Sequence, residues 1–251
     1  MRAILLAAGV GSRFQSHSDA IPPCLVEVGG KTLLRRHLDA LATLGIVDAV
    51  VVVGYRKEQV AAEAGRGPAE VRVRIVENAR YMRGNILSLW QACHESDDDV
   101  LIVDGDILFP QEMLARLLAT PDMNAIAVDE QRRDSGDRQR VVCEDGWVVE
   151  VTRRVGQDAR VRGEAVGMLR LSADAAEILR GILDEFVETE KDSFGYEDAF
   201  RELAVEVPIG VVEVGDLPWI EVDHPESLAL ARDTVLPQVE RLDRGEPVPT
   251  P

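Results

Sequence analysis

Hydrophobic positions fall along this chain in two alternating rhythms. Short unbroken runs of apolar or β-branched residues at 3–7, 49–53, 100–103 and 125–128 predict strands covered on both faces. A fifth run, 71–76, alternates Arg72 and Arg74 with apolar residues and predicts a half-exposed strand. Between these runs, 32–44, 57–64, 85–92 and 110–119 read as helices. In the first helix the leucines at 33, 34, 38, 41 and 44 recur at three- and four-residue spacing, which gives one buried face. Strand alternating with helix predicts an α/β fold: a Rossmann-like, mostly parallel sheet flanked by helices, with right-handed crossovers.

The second half has a different pattern. Runs at 140–143 and 148–152 flank Glu144-Asp145-Gly146-Trp147, whose Asp-Gly pair signals a hairpin turn. A strand over 165–171 leads into a helix over 173–189. Another strand, 209–214, precedes a last helix from 225 to about 241, which Pro237 is expected to kink or interrupt. These elements predict a small antiparallel extension on the carboxyl side of the sheet, where the sites of such sheets lie. One domain over 1–242 is expected, with a Pro-rich, disordered tail over 243–251.

Composition narrows the function classes. A chain of 251 residues, 46% hydrophobic and 29% charged, suits one large α/β domain or at most two small ones. No apolar run approaches the roughly 20 residues of a membrane span, and the apolar start is too short for a signal peptide. The reading is a soluble, cytoplasmic protein. Cys24, Cys93 and Cys143 are scattered and make no disulfide frame. A net charge of -17 argues against nucleic-acid or anionic-membrane partners, so phosphates would be bound through local features only.

Several segments carry chemistry. The first strand runs into Leu6-Ala7-Ala8-Gly9-Val10-Gly11-Ser12-Arg13-Phe14. Small residues there let the backbone approach a ligand, successive N–H groups can cradle an anion, and Arg13 adds a fork-shaped charge for phosphate oxygens. A dinucleotide fingerprint would need Gly at Phe14, and a Walker A loop would need Gly at Leu25, so neither applies. An ordinary glycine-rich βα turn is the alternative. Val103-Asp104-Gly105-Asp106 puts two carboxylates at a strand's carboxyl end, which suits a hard cation such as Mg²⁺. Glu221 and Asp223 share one face of a strand, although Asp223 could instead cap the helix that begins at Pro225. Residues 131–162 hold eight arginines against six acids, a basic island in an acidic chain that fits a phosphate-bearing ligand. Solvated strands and loop account for most of those arginines.

Three blocks, Leu6-Ala7-Ala8-Gly9-x-Gly11-Ser12-Arg13, Pro22-x-x-Leu25 and Val28-Gly29-Gly30-Lys31-x-Leu33-Leu34, stand in order and at the spacing of a known signature. The chain resembles the sugar nucleotidyltransferase superfamily, and within it the phosphocholine/phosphonate cytidylyltransferase-like branch. The segment 78–89, the pair Gly105-Asp106, the block Trp219-Ile220-Glu221-Val222-Asp223 and the segments at 163–167 and 196–198 extend the likeness along the chain.

The resemblance implies a nucleotidyltransferase GT-A-like fold and a CTP-dependent transfer of CMP to a small phosphorylated or phosphonate acceptor, with release of pyrophosphate. It implies that Leu6, Ala7, Ala8, Gly9, Gly11, Ser12 and Arg13 hold the triphosphate, and that Asn85 and Ser88, three apart on one helix face, read the base. Capping the helix is the alternative for these two. Asp106 and Asp223 would hold Mg²⁺ and, with Arg13, form the catalytic set; Asp104 beside them is a nucleotide contact or a loop cap. Arg153, Glu164, Gly167, Tyr196 and Glu197 would face the acceptor, although Glu197 could instead be an acid at a helix N-terminus. A homodimer is compatible with this picture. One departure stands out: the branch's usual Lys after the first Pro is Pro23 here, which has neither charge nor N–H. Arg13 or Arg153 could compensate. The rivals are a nucleotidyltransferase forming a UDP-, GDP- or dTDP-sugar and a non-catalytic nucleotide-binding homologue.

Overall fold

A computed structural model describes residues 1–11, 21–132, 138–156, 159–191 and 193–246. The first half contains β1 (Arg2–Ala7), β2 (Glu27–Val28), β3 (Lys31–Thr32), α1 (Leu33–Thr43), β4 (Asp48–Val53), α2 (Lys57–Ala64), β5 (Arg72–Glu77), α3 (Ile86–Cys93), β6 (Val100–Asp104), β7 (Ile107–Leu108), α4 (Gln111–Ala119) and β8 (Ala125–Asp129). The second contains β9 (Arg140–Glu144), β10 (Trp147–Thr152), β11 (Val161–Leu171), α5 (Ala173–Glu188), α6 (Tyr196–Glu206), β12 (Gly210–Glu213), β13 (Ile220–Glu221), α7 (Pro225–Leu230) and α8 (Leu236–Asp243).

The predicted parallel sheet is present. β6, β1, β4 and β5 lie side by side and parallel, and β8 and β12 are parallel to each other. β11 runs antiparallel to β6, β8 and β9 and joins these groups into one nine-stranded sheet. The unbroken apolar strands follow from this layering. Leu5, Val51 and Val103 enter one core with Leu34, Leu38 and Leu41 of α1, while Ile4, Val50 and Ile102 enter the other with Ile86 and Leu89 of α3. β5 is an edge strand with Arg72 and Arg74 exposed, as its alternating pattern predicts.

Local chemistry sets the boundaries. Thr32 Oγ1 accepts from the Arg35 N–H and caps α1, a contact worth about 1 kcal/mol. Asp145 and Gly146 both take positive φ, 49° and 91°, the conformation that a two-residue β9–β10 hairpin requires.

Four findings differ from the sequence reading. β11 begins at Val161 and bends at Gly167, whose φ of 77° falls where the strand shifts register against β8. The last helix divides into α7, a π-helical turn over Ala231–Val235, and α8. Pro237 falls in the first turn of α8, where its missing N–H has no partner to lose. The two-residue strands β2, β3, β7 and β13 have no counterpart in the sequence reading, and α6 is foreshadowed there only by the alternative for Glu197, which does lie in its first turn. Of the expected tail at 243–251, Asp243 ends α8 and Glu246 still donates its N–H to the Arg241 carbonyl (2.9 Å), while 247–251 lie outside the described residues. No helix among the described residues is long and apolar enough to cross a membrane.

Candidate active site

The carboxyl ends of β1 and β6, the bend in β11 and the N-terminus of α6 surround a cleft of about 260 Å³. One wall is backbone. Gly105 donates its N–H to the Leu6 carbonyl (3.0 Å), and the Ala8 carbonyl accepts from Tyr55 (3.1 Å), so the chain after β1 is pinned on both sides. Gly9 lines the cleft, and a Cβ built there would meet nothing within 4 Å, so this backbone faces open space. Gly11 takes a φ of 66° and packs against the ring of Pro23. Ser12 and Arg13 lie outside the described residues.

The second wall brings distant carboxylates together. β13 pairs antiparallel with β7, and the Val222 N–H donates to the Asp106 carbonyl at 2.7 Å. The segments that carry Asp106 and Asp223 therefore run side by side. Trp219 fixes the incoming segment: its Nε1–H donates to Asp129 (2.9 Å), and the Arg132 guanidinium lies 4.4 Å over its ring. Asp223 is 4% exposed and bonded to Ser227, which donates at 3.4 Å to Oδ1. It does not cap α7. That role belongs to His224, whose Nδ1 accepts from the Ser227 N–H (3.0 Å). From below, His37 on α1 donates Nε2–H to the Ile107 carbonyl (2.7 Å) and stacks on Phe109. Burial pushes its pKa down to about 4 and keeps it neutral.

The third wall links the two halves. The Tyr196 hydroxyl donates to Asp104 at 2.5 Å, and the Tyr196 N–H donates to Asn85 Oδ1 at 3.0 Å. Asn85 stands at the start of α3 but makes no side-chain cap there; it caps α6 instead. Burial, and then the neighbouring Asp106, push the Asp104 carboxyl well above the usual carboxylate range. A Cβ on Gly167 would overlap Asp104 Oδ2. Ser88 is buried and accepts from Asn78 Nδ2 (3.0 Å). Glu197 accepts from Gln139 (2.8 Å), and burial raises its pKa while Arg153 opposes that shift.

The cleft thus gathers Leu6, Ala8, Gly9, Asn85, Ser88 and Asp104 from the nucleotide set, and Arg153, Glu164, Gly167, Tyr196 and Glu197 from the acceptor set. Asp106 and Glu221 line it, whereas Asp223 does not. Sequence reasoning missed Arg138, Gln139, His37 and the Tyr196–Asp104 link. The basic island was the only signal for the first of these. Several of its arginines prove to be pinned: Arg138 to Glu221, Arg162 to Glu130 and Glu213, and Arg140 to the Arg153 carbonyl.

The chain is 35% identical over 134 residues to the CMP-5'-(3-aminopropyl)phosphonate synthase of Streptomyces rubellomurinus, covering 53% of this chain and 21% of that protein. It is 32% identical over 239 residues to the bifunctional IPC transferase and DIPP synthase of Rubrobacter xylanophilus, covering 93% of this chain and 52% of that protein. It therefore spans about half or less of these two relatives. Against the 2-aminoethylphosphonate cytidylyltransferase of Lancefieldella rimae it is 27% identical, with 90% of each chain covered. The inositol-1-phosphate CTP transferase of T. maritima shares the fold at a TM-score of 0.77 and 19% identity, over 98% of each chain. The likeness to nucleotidyltransferases is borne out: over residues 3–248 the sequence matches one family throughout, and the chain belongs to the MobA-like NTP transferase domain family.

Proposed function

We propose that this chain transfers CMP from CTP to a small acceptor bearing a phosphate or phosphonate. The observation that carries the reading is the cleft's division into a backbone wall open at Gly9 and a carboxylate wall at Asp106, beside which the β7–β13 pairing brings the segment bearing Asp223. The full-length likeness to a 2-aminoethylphosphonate cytidylyltransferase supports the choice of nucleotide and acceptor class.

The donor set fits Mg²⁺. Asp106 and Asp223 offer only oxygen, and among the described residues no group of three or more His, Cys, Asp or Glu is arranged to hold a metal. A cation on two carboxylates would complete its shell with water and phosphate oxygens, as Mg²⁺ prefers. When bound, it would neutralise phosphate charge.

The chain's own residues do the rest by positioning. The backbone after β1, with Arg13, holds the triphosphate. Asn85 commits its carbonyl oxygen to Tyr196, which leaves its amide donors for a base edge. Arg153, Glu164, Gly167, Tyr196 and Glu197 shape the acceptor side. An acceptor oxygen attacks the α-phosphorus in line, a new P–O bond forms, the bond to the bridging oxygen breaks, and pyrophosphate leaves with that electron pair.

The test is pyrophosphate release from each nucleoside triphosphate against a panel of phosphorylated and phosphonate acceptors. Release with CTP and a phosphonate or phosphate acceptor is expected. Release with UTP, GTP or dTTP and a sugar phosphate would transfer the reading to the sugar-nucleotide class. Binding of nucleotide without release from any pair would mark a non-catalytic homologue.

A further inference from the structure

Arg138 lies just before β9 and lines the cleft opposite the backbone wall. Among the described residues lining that cleft, five carry carboxylates and only Arg138 and Arg153 carry permanent cations. Arg153 faces Glu197 on the acceptor side. Arg138 faces the other pair: its Nη1 makes a close ion pair with Glu221 and sits 3.6 Å from Asp223 Oδ2. The guanidinium is anchored on Glu221 and only leans on Asp223.

That geometry has a consequence for charge. An ionised carboxylate as buried as Asp223 is costly unless a counter-charge stands beside it, and Arg138 supplies one. A divalent cation on Asp223 would replace that counter-charge. A guanidinium has five N–H donors in a fixed fork, so one held on Glu221 keeps donors for a second partner. The cleft also needs a cation. Position 23 is a proline whose ring packs against Gly11, so no charge reaches the phosphates from there.

We infer that Arg138 is a phosphate-binding residue of the transfer reaction: it stays anchored on Glu221, screens Asp223 in the free chain, and turns to the triphosphate when a divalent cation takes Asp223. The inference rests on the metal site proposed above.

The test is calorimetric titration of the whole chain, first with Mn²⁺ alone and then with CTP in its presence, for wild type, Arg138→Gln and Arg138→Lys. Removing the competing cation is expected to make Arg138→Gln bind Mn²⁺ about tenfold more tightly and CTP about tenfold more weakly. Opposite shifts for the two ligands are not what a misplaced β13 would give, because that would weaken both. Mn²⁺ affinity in Arg138→Gln at or below wild type overturns the inference, and so does unchanged CTP affinity. If the Gln variant fails to fold, Arg138→Lys decides. With the charge kept and the fork lost, wild-type Mn²⁺ affinity with CTP about threefold weaker supports the inference, and unchanged CTP affinity overturns it. Wild type that binds Mn²⁺ no better than Asp106→Asn defeats the proposed metal site and this inference together. Normal metal binding with no effect of Arg138→Gln defeats this inference alone.

Discussion

On the β1 side of the cleft the protein presents its backbone; on the β11–α6 side it presents side chains. The β1 side is built from parallel strands buried on both faces, and its lining is the backbone around Leu6, Ala8, Gly9 and Gly105, pinned by the bonds that the Leu6 and Ala8 carbonyls accept. The β11–α6 side is antiparallel strand and helix terminus, and its contacts are Arg153, Glu164, Tyr196 and Glu197. The difference suits two kinds of ligand. Phosphate groups are the same on every nucleotide and can be met by backbone N–H groups, which every residue but proline carries. Acceptors differ in shape and charge, and are met by groups that can be exchanged without disturbing the sheet.

The comparison breaks first at the carboxylates shared by both sides. Asp106→Asn and Asp223→Asn are each expected to lower pyrophosphate release on the order of 10³-fold while circular dichroism remains unchanged. Folded variants with near wild-type rates would remove both residues from the site.

The next effect comes from beneath the carboxylate wall and is one of stability. His37 is held neutral with a pKa of about 4, against 6.5 in the unfolded chain. The unfolded chain therefore takes up the proton first, and stability is lost as the pH falls from about 6.5 to about 4, by up to roughly 3 kcal/mol. Urea unfolding of wild type and His37→Gln across that window should show a steeper loss in wild type; parallel curves would mean that His37 titrates normally.

Gly167→Ala sharpens the comparison on the other side. The added methyl would meet Asp104 at a backbone φ of 77°, where an L-residue is strained by about 1–2 kcal/mol. A loss of about 10² in kcat/KM for the acceptor is expected, with CTP binding close to wild type in calorimetry. An equal loss of CTP binding would show that the two walls are not separable. The smallest effect is Tyr196→Phe, which keeps the ring and deletes the donor to Asp104. About 1–2 kcal/mol of stability should go, and the acceptor KM should rise more than that for CTP.

Much of the β1 side was legible in the sequence. Residues 3–7, 49–53 and 100–103 are apolar without interruption because each strand is covered twice, and the glycine-rich loop follows the first of them directly. The half-exposed 71–76 strand and the Asp145-Gly146 turn were equally readable, since each depends on local chemistry. The other side was less so. β7 and β13 are two residues long, too short for any periodicity to register, yet they bring Asp106 and Asp223 side by side. Tyr196 reads as an acceptor contact from its motif, but its hydroxyl is committed to Asp104, a partner fixed only by how β6 meets α6. Asn85 offered two readings, base contact or cap of its own helix; the cap it makes is on α6, which no local pattern encodes. Pro237 reads as an interruption of the last helix, but the interruption is the π-helical turn over Ala231–Val235, and Pro237 sits in the first turn of the helix that follows.

The hydrogen bond from Val222 to Asp106 also bears on the order in which this protein becomes competent during synthesis. β1 and β6, which lead to Gly9 and Asp106, both precede the Asp223 segment in the chain and can pair while it is still being made. Asp223 follows Asp106 by 117 residues, and the segment bearing it has to dock beside a strand end formed before it. On the reading above, a nascent chain stalled before that point would own a phosphate-facing floor without its second acid. Synthesis and docking of the Asp223 segment would then be the step that turns a binder into a catalyst.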